Sequence, residues 1–164
     1  FPCAGGQGLV VGATHISRMS TDLVPIPNLR AVVIQASIND AGGSWSGNVG
    51  PAAVAAVSFV KANCPATAGN IAVVSPLAVL SLSTYQTMSN EIRDALALAH
   101  PDVPYIDLIT TPWVSGAGKV GTTTGLGISD VVADADGGHP TQLGHNMLAE
   151  ILGSRLRAAW SLPT

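Results

Sequence analysis

Short apolar runs alternate with longer, mixed stretches along the chain. Three of these runs, at residues 29–37, 70–76 and 103–109, are rich in valine, isoleucine or leucine and are almost continuously apolar. A strand that is covered on both of its faces shows this pattern, because neither side of it meets water. We therefore predict that these runs form three strands of a buried sheet.

The stretches that follow the first two runs, and the end of the chain, have the features of helices. Residues 50–63 are rich in alanine and valine and place a proline near the first helical position. Residues 83–100 begin with Ser83 and Gln86 in the spacing of a capping box, and a proline follows them. A last helix is predicted over about 141–160, with an apolar stripe formed by Leu143, Met147, Ile151, Leu152 and Leu156.

The order of these elements predicts the fold class. Strand and helix alternate three times, which is the pattern of a mainly parallel sheet with helices on both faces. We predict a three-layer α/β/α domain with a flavodoxin-like sheet, and 164 residues suit a single domain. Functional residues of such sheets collect in loops at the carboxyl ends of the strands. The loops after 29–37 and 103–109 and the turn before the last helix are therefore the places to examine.

The composition narrows the possible partners. Hydrophobic residues make up 47% of the chain and charged residues 10%, against about 25% charged in an average soluble domain. This argues against disorder and predicts a surface that is built from small polar residues or covered by neighbouring protein. The net charge of -3, without a basic cluster, argues against a nucleic-acid partner. Each apolar run is far shorter than the ~20 residues of a membrane-spanning helix.

The start of the chain and its two cysteines bear on localisation. The chain begins with Phe1 and shows no signal peptide, so we expect that something was removed or that a longer chain exists. Together with the low lysine content, this suits a secreted or otherwise exported protein. Cys3 and Cys64 are either buried free thiols or a disulfide, which in the chain-entropy model would contribute ~4 kcal/mol. The cysteines and histidines show no metal-ligand spacing, so we predict no metal and no cofactor.

The turn before the last helix combines an acid with an imidazole. In "DGGHPTQLGH", Asp136 and His139 are three residues apart, which lets a carboxylate orient an imidazole that acts as general base. The alternative is helix capping, in which Asp136 or Thr141 accepts hydrogen bonds from free backbone N–H groups. The spacing alone favours the capping interpretation.

Two further positions are candidate oxyanion donors. Asn39 follows the run at 29–37, so its side-chain amide is able to stabilise an oxyanion at the edge of the sheet. Gly12 follows an apolar run and can leave its backbone N–H exposed in a cleft. Ordinary turns explain each position when it is taken alone.

These pieces, taken in order, resemble the SGNH (GDSL-type) hydrolase family. "SIND" at 37–40 is similar to the family's G-x-N-D block, with Ser37 in place of glycine. "DGGHPTQLGH" at 136–145 resembles the D-x-x-H-P block, and "VVGAT" at 10–14 resembles the block that supplies an oxyanion glycine. The resemblance covers about 8–160, and the D-x-x-H-P block is its most specific part.

The resemblance implies a serine esterase or acyl hydrolase that acts on a lipid, an acetylated sugar or a small ester. In that reading His139 is the general base and Asp136 its orienting carboxylate. Asn39 and Gly12 are then the oxyanion donors. Asp40 is expected to be structural and to bond within its own loop.

Three side chains near these blocks have less specific expectations. Trp45 and Trp113 lie on loops of the predicted site and suit a sugar or acyl group, although a tryptophan at a loop base is more often packing. His145, on the last helix, is expected to be partly buried and not to act as a ligand.

The family's nucleophile is a serine in a Gly-Asp-Ser turn, and this sequence contains no Gly-Asp-Ser. Too few residues precede Gly12 for the strand and helix that should carry it. The resemblance therefore implies that 1–164 are the C-terminal portion of one SGNH-like domain, and that a second polypeptide segment supplies the first strand, first helix and nucleophile. Thr14, Ser44 and Ser46 are alternative nucleophiles whose spacing or setting is poorer.

Three functional readings follow from this gap. The first is an esterase completed by the other segment. The second is a catalytically inactive, SGNH-like binding or structural module in a larger assembly, and the third is a degenerate active enzyme. A sheet without its first strand would leave backbone groups unpaired, so we expect this chain to need another segment for a complete domain.

Overall fold

The computed structural model describes residues 9, 15–37, 40, 45–67, 69–76, 83–109 and 141–161. In these residues, helices and strands alternate for most of the chain. The elements are α1 (His15–Asp22), β1 (Val32–Gln35), α2 (Val49–Asn63), β2 (Ile71–Val74), α3 (Ser83–Ala99), β3 (Tyr105–Ile106) and α4 (Gln142–Ala159), with a short 3-10 turn at Pro65–Thr67 after α2. The three predicted strands and three predicted helices are present, and α1 is an additional helix that the pattern did not predict.

The three strands form one parallel sheet in the order β1-β2-β3. Val32 is paired with Ile71, and Val73 with Tyr105. The prediction of a parallel α/β sheet is therefore confirmed. The strands are shorter than the apolar runs that predicted them, and only two residues of the last run keep the strand geometry.

Alternate residues of β2 face two different helical layers, which gives the fold its three layers. Ile71 and Val73 belong to a core cluster with α2 and α3, whereas Ala72 and Val74 belong to a second cluster under α4. All four side chains are buried because β2 is the central strand and has a helix layer on each side. This is the arrangement that a flavodoxin-like α/β/α fold requires.

β1 departs from the predicted pattern of a strand that is covered on both faces. Val32 and Ile34 are buried against α2 and α3, but Val33 is 41% exposed and Gln35 is also exposed. In the described part of the chain, β1 has a neighbouring strand on one side only. Among the described residues, the second face of the sheet is thus covered over β2 and β3, and none of them covers Val33 of β1.

α2 and α3 approach each other unusually closely near the start of α2. A Cβ placed on Gly50 would lie 2.9 Å from Ala95 Cβ and 2.9 Å from the backbone oxygen of Glu91. Only glycine fits this contact without moving a helix backbone. The close approach lets the small side chains of α2 pack directly onto α3 and the sheet, where Ala53, Ala56, Val57 and Val60 are fully buried.

Candidate functional site

The carboxyl ends of the three parallel strands lie at one edge of the sheet, where the sequence predicts the site. At this edge the hydroxyl of Ser75 joins β2 to the residues after β3. Its Oγ accepts a hydrogen bond from Leu108 N at 2.9 Å and donates to Pro76 O at 3.2 Å. Because Ser75 is fully buried, these bonds replace its contact with water and fix the geometry of the edge.

Asp40 lies in the loop that follows β1 and is the buried carboxylate of this edge. Its side chain is 0% exposed, and Oδ2 accepts a hydrogen bond from Leu9 N at 2.9 Å. The sequence predicted a bond within the loop, whereas this bond reaches a residue 31 positions earlier in the chain. The loop after β1 is therefore attached to the segment that leads towards the first motif block.

The end of the same loop is held by a carboxylate of α3. Glu91 accepts hydrogen bonds from Gly47 N through Oε2 and from Gly50 N through Oε1, both at 3.0 Å. Asn48 precedes α2 without a side-chain cap bond, so Glu91 supplies the acceptor that a capping residue normally provides. A negative charge at this position also suits the positive end of the helix dipole. No sequence pattern reveals this contact, because Gly50 and Gly47 lie 41 and 44 residues before Glu91.

Trp45 lies between these two attachments. Its ring is half-buried and packs against the core cluster shared by α2, α3 and the sheet. Its carbonyl accepts hydrogen bonds from Asn48 N at 2.8 Å and Val49 N at 3.0 Å, which shapes the turn into α2. These contacts are what the packing interpretation expects, and a role in substrate binding stays a prediction. Trp113 lies outside the described residues.

The four residues with the most specific predicted roles also lie outside the described part of the chain. They are Gly12, Asn39, Asp136 and His139. Their roles, and their convergence on one site, therefore stay predictions. The structure does describe nearby residues: Leu9 lies three residues before Gly12, Asp40 directly follows Asn39, and Thr141 lies two residues after His139.

The start of α4 has a helix cap of the kind that the capping interpretation named, and the catalytic interpretation of Asp136 and His139 stays a prediction. Thr141 is the N-cap, and its Oγ1 accepts a hydrogen bond from Gly144 N at 3.2 Å. Thr141 thus fills the capping role for which Asp136 was the other candidate. One turn on, His145 is exposed, so the expectation that it would be partly buried is wrong. It follows Gly144, which is the buried residue of this turn.

A second anchor joins α4 to the end of β3. Arg155 donates from Nη1 to the backbone oxygen of Asp107 at 2.7 Å, and Asp107 Oδ1 accepts from Ile109 N at 2.8 Å. A charged donor on a partly buried carbonyl is a strong hydrogen bond, and it helps to fix the helix over β3. The sequence offered no signal for this contact, because a single arginine on a helix has no pattern that reveals its partner.

A separate cluster of Ser, His, Lys and Asp lies between the C-terminal half of α2 and the α3–β3 turn. Lys61 Nζ lies 3.4 Å from His100 Nδ1 and donates to both carboxylate oxygens of Asp102, at 2.8 and 2.9 Å. An ammonium group can only donate, so Nδ1 acts as the acceptor and Nε2 carries the hydrogen. His100 Nε2 lies 3.0 Å from Ser58 Oγ and 3.3 Å from the carbonyl of Val54.

This arrangement is the reverse of the one that activates a nucleophile. A catalytic histidine presents an unprotonated nitrogen to the serine and holds its other N–H on a carboxylate. Here Nε2 donates towards Ser58, and a cation lies against Nδ1. The cluster therefore connects α2 to the turn before β3 and does not make Ser58 a nucleophile. The hydrogen bonds from Lys61 lower the pKa of Asp102.

Tyr105 is a further titratable group near the sheet. Burial raises the pKa of its phenol above the usual value, and its hydroxyl is hydrogen-bonded to Ser89 Oγ at 2.8 Å. A phenol with a raised pKa stays protonated at neutral pH. Tyr105 packs against the first core cluster, and its hydroxyl joins β3 to α3 through Ser89.

The described residues contain no group of three or more His, Cys, Asp or Glu side chains that is able to hold a metal ion. Cys64 is a buried free thiol at the end of α2, and Cys3 lies outside the described residues. Among the helices of the described ranges, none combines the length and apolar character that crossing a membrane requires.

The comparisons with known proteins found no match. No family model matches the sequence, and no similar protein was found among curated proteins or solved structures. An α/β sheet of this kind hosts many unrelated activities, so the fold does not by itself identify a function. A functional proposal depends here on the motif blocks and on the contacts that surround them.

Proposed function

We propose that this chain forms the larger part of an SGNH-type serine esterase or acyl hydrolase. The substrate class is an ester of a lipid, an acetylated sugar or a small molecule. The proposal has two supports, the ordered resemblance of three motif blocks and the parallel α/β sheet that the resemblance implies.

The observation that carries the proposal is the hydrogen bond between Leu9 N and Asp40 Oδ2. Leu9 lies three residues before Gly12, and Asp40 directly follows Asn39. This bond joins the residue before the 10–14 block to the last residue of the 37–40 block, and it supports the proposal that the two blocks meet. Ordinary turns at Gly12 and Asn39 would not require this contact.

In the proposed reaction a serine hydroxyl attacks the acyl carbonyl of the ester. His139 takes the proton of that serine and returns it to the leaving alcohol, while Asp136 orients the imidazole and stabilises its charged form. The backbone N–H of Gly12 and the side-chain amide of Asn39 donate to the oxyanion of the tetrahedral intermediate. Water then hydrolyses the acyl-enzyme by the same route.

The nucleophile of this proposal lies on a polypeptide segment outside these residues, because the sequence contains no Gly-Asp-Ser turn. That segment would also carry a strand, and β1 has a sheet neighbour on one side only in the described chain. The exposure of Val33 and Gln35 on β1 is consistent with a further element over this side of the sheet. Secretion or another form of export belongs to the same proposal.

The test is hydrolysis of p-nitrophenyl acetate by the full-length natural polypeptide. We expect His139→Ala to lower kcat by about 10²- to 10⁴-fold, the range for loss of a general base. His145→Ala is the matched control, because it removes an exposed imidazole six residues away in the sequence and is expected to leave the rate unchanged. Equal rates for the wild type and His139→Ala would remove His139 from the mechanism.

Labelling with a fluorophosphonate probe tests where the nucleophile lies. We expect mass spectrometry to find the label on a serine in a Gly-Asp-Ser turn outside these residues. Label on Ser44 or Ser46 would contradict the proposed location. A full-length polypeptide that is folded, unlabelled and inactive would instead favour the inactive binding or structural module.

A further inference from the structure

His100 lies where the C-terminal half of α2 meets the turn between α3 and β3. Its Nδ1 is 3.4 Å from Lys61 Nζ, and its Nε2 is 3.0 Å from Ser58 Oγ and 3.3 Å from the carbonyl oxygen of Val54. Lys61 also donates to both carboxylate oxygens of Asp102, at 2.8 and 2.9 Å. One ammonium group of α2 therefore contacts two side chains of the same turn.

This set of contacts requires a neutral imidazole. Nδ1 has a lone pair for Lys61 only while it carries no hydrogen. Histidine is the side chain whose charge ordinarily changes between about pH 5 and 8. Once Nδ1 of His100 gains a hydrogen, two donors face each other and two positive charges lie 3.4 Å apart. The hydrogen bond between Lys61 and His100 is therefore lost in the protonated form.

The charged groups around His100 accommodate the added proton in a different arrangement. On α2, Lys61 is the only charged side chain, and it opposes a second positive charge. In the turn, the hydrogen bond from Lys61 is the main cause of the lowered pKa of Asp102, and attraction to a charged His100 acts in the same direction. His100 also follows the C-terminal end of α3, which favours a cation. The charged residues of α3 lie at least six positions earlier, namely Glu91, Arg93 and Asp94.

Asp102 is the acceptor that the protonated imidazole can use. It follows His100 by two residues, and a hydrogen bond from Val103 N to His100 O, at 3.0 Å, closes the turn that contains both. The Asp102 side chain is 61% exposed, so it can rotate without disturbing the core. A bond from Nδ1–H to Asp102 joins two residues of one turn, whereas the bond from Lys61 joins that turn to α2.

We propose that His100 is a pH-sensitive switch in the contact between α2 and the turn before β3, in which the imidazole and Lys61 compete for Asp102. The neutral imidazole accepts from Lys61 and leaves Asp102 bound to the ammonium group. The imidazole that has taken up a proton from solvent donates to Asp102 and weakens the pair between Lys61 and Asp102. The switch does not depend on the proposed esterase function.

The test is a double-mutant cycle of Lys61→Met and Asp102→Asn in the full-length natural polypeptide, measured by urea denaturation at about pH 8 and about pH 5.5. Asp102 stays ionised at both values, because its pKa is lowered from 3.8. At about pH 8 we expect the coupling to change the unfolding equilibrium constant by about 1.5- to 5-fold, the range for an exposed pair. At about pH 5.5 we expect this factor to fall towards 1.

The same cycle in His100→Gln assigns the change to the imidazole. Glutamine does not titrate, so we expect the coupling in this background to be the same at both pH values. His145→Gln is the matched control, because it removes an exposed imidazole of α4, and its coupling should fall as in the wild type. If His100→Gln does not fold, His100→Asn replaces it, since its side-chain oxygen can accept from Lys61.

Nitrogen NMR of the imidazole gives a readout that does not depend on stability. At about pH 8 we expect His100 to carry its hydrogen on Nε2, because Lys61 occupies Nδ1. In Lys61→Met the form with hydrogen on Nδ1 should gain population, because the donor to Nδ1 is gone and Asp102 is available as an acceptor.

Three results would overturn the switch. One is a wild-type coupling that is equal at the two pH values, and another is a fall that persists in the His100→Gln background. The third is a wild-type His100 that carries its hydrogen on Nδ1 at about pH 8. The presence or absence of esterase activity decides the proposed function and has no bearing on these measurements.

Discussion

The two faces of the sheet are packed very differently in the described chain. On the first face α2 and α3 bury many complete side chains, among them Val57, Val60, Met88, Ile92 and Leu96. On the second face, only Gly144 and Leu148 of α4 are buried, and Leu148 keeps 8% of its exposure. The other apolar residues of α4 on this side are half-buried, namely Met147, Ile151, Leu152, Leu156 and Trp160.

This difference follows from the number of helices that cover each face of the sheet. On the first face, α2 and α3 touch each other at Gly50 and share one core with the sheet, and Ile16 and Met19 of α1 also pack against that core. The second face has one described helix, which crosses β2 and β3 and leaves Val33 of β1 exposed. Since stability increases with the apolar area removed from water, we expect the first layer to carry more of the folding free energy.

Matched truncations of isoleucine in the two layers test this expectation most directly. Ile92→Ala empties a fully buried position on α3, and we expect a loss of about 2–5 kcal/mol in the free energy of unfolding. Ile151→Ala removes the same atoms from a half-buried position on α4, and we expect a loss of about 1–2 kcal/mol. Urea denaturation measures both. Equal losses would show that the two layers are equally packed.

Replacing one glycine by alanine in each layer should change the stability of the protein in opposite directions. Gly50→Ala places a methyl group 2.9 Å from atoms of Ala95 and Glu91, and we expect it to destabilise the protein by about 1–3 kcal/mol. Gly153→Ala, on α4, would meet only Arg157 Nη1 at 3.6 Å. We expect it to stabilise the protein by up to about 1 kcal/mol through helix propensity. Thermal melting gives both signs, and a stabilising Gly50→Ala would contradict the close approach of α2 and α3.

The smallest expected effect is at the ion pair between Lys61 and Asp102, at the margin of the first layer. The lowered pKa of Asp102 means that its carboxylate stabilises the folded state above the ordinary pKa of 3.8. This contribution is lost as the pH falls through the lowered, folded-state pKa. Because the pair is exposed, we expect Asp102→Asn to cost less than about 1 kcal/mol at pH 7. Melting curves of the two proteins should converge below pH 3.8, and a difference that grows on acidification would contradict this sign.

The sequence predicted the parallel sheet and its helices because local rules determine them. Apolar, β-branched runs formed strands, and parallel pairing followed from the helical connections between them. The exposure of Val33 was not predictable, since a continuous apolar run does not reveal which face lacks a cover. Four residues of the predicted stripe on α4 pack against the second core cluster together with Leu148, namely Met147, Ile151, Leu152 and Leu156. The prediction is wrong only for Leu143, which is 49% exposed.

The contacts around the candidate site could not be predicted from the sequence, for a different reason. Glu91, Asp40 and Arg155 each bind a backbone group far away in the chain, and any acidic or basic residue can do so. No spacing rule identifies such a partner. The motif blocks do follow spacing rules, which is why Asp136, His139 and the two candidate oxyanion donors were nameable from the sequence.

The contact at Gly50 has a consequence for motion within the domain. A helix pair without space between its backbones cannot slide, and Glu91 prevents the start of α2 from swinging away from α3. The two helices therefore move as one body with the β1 edge that they cover. By comparison, α4 has mostly half-buried side chains against the sheet, so we expect a shift of α4 to disrupt less packing than a shift of α2 or α3.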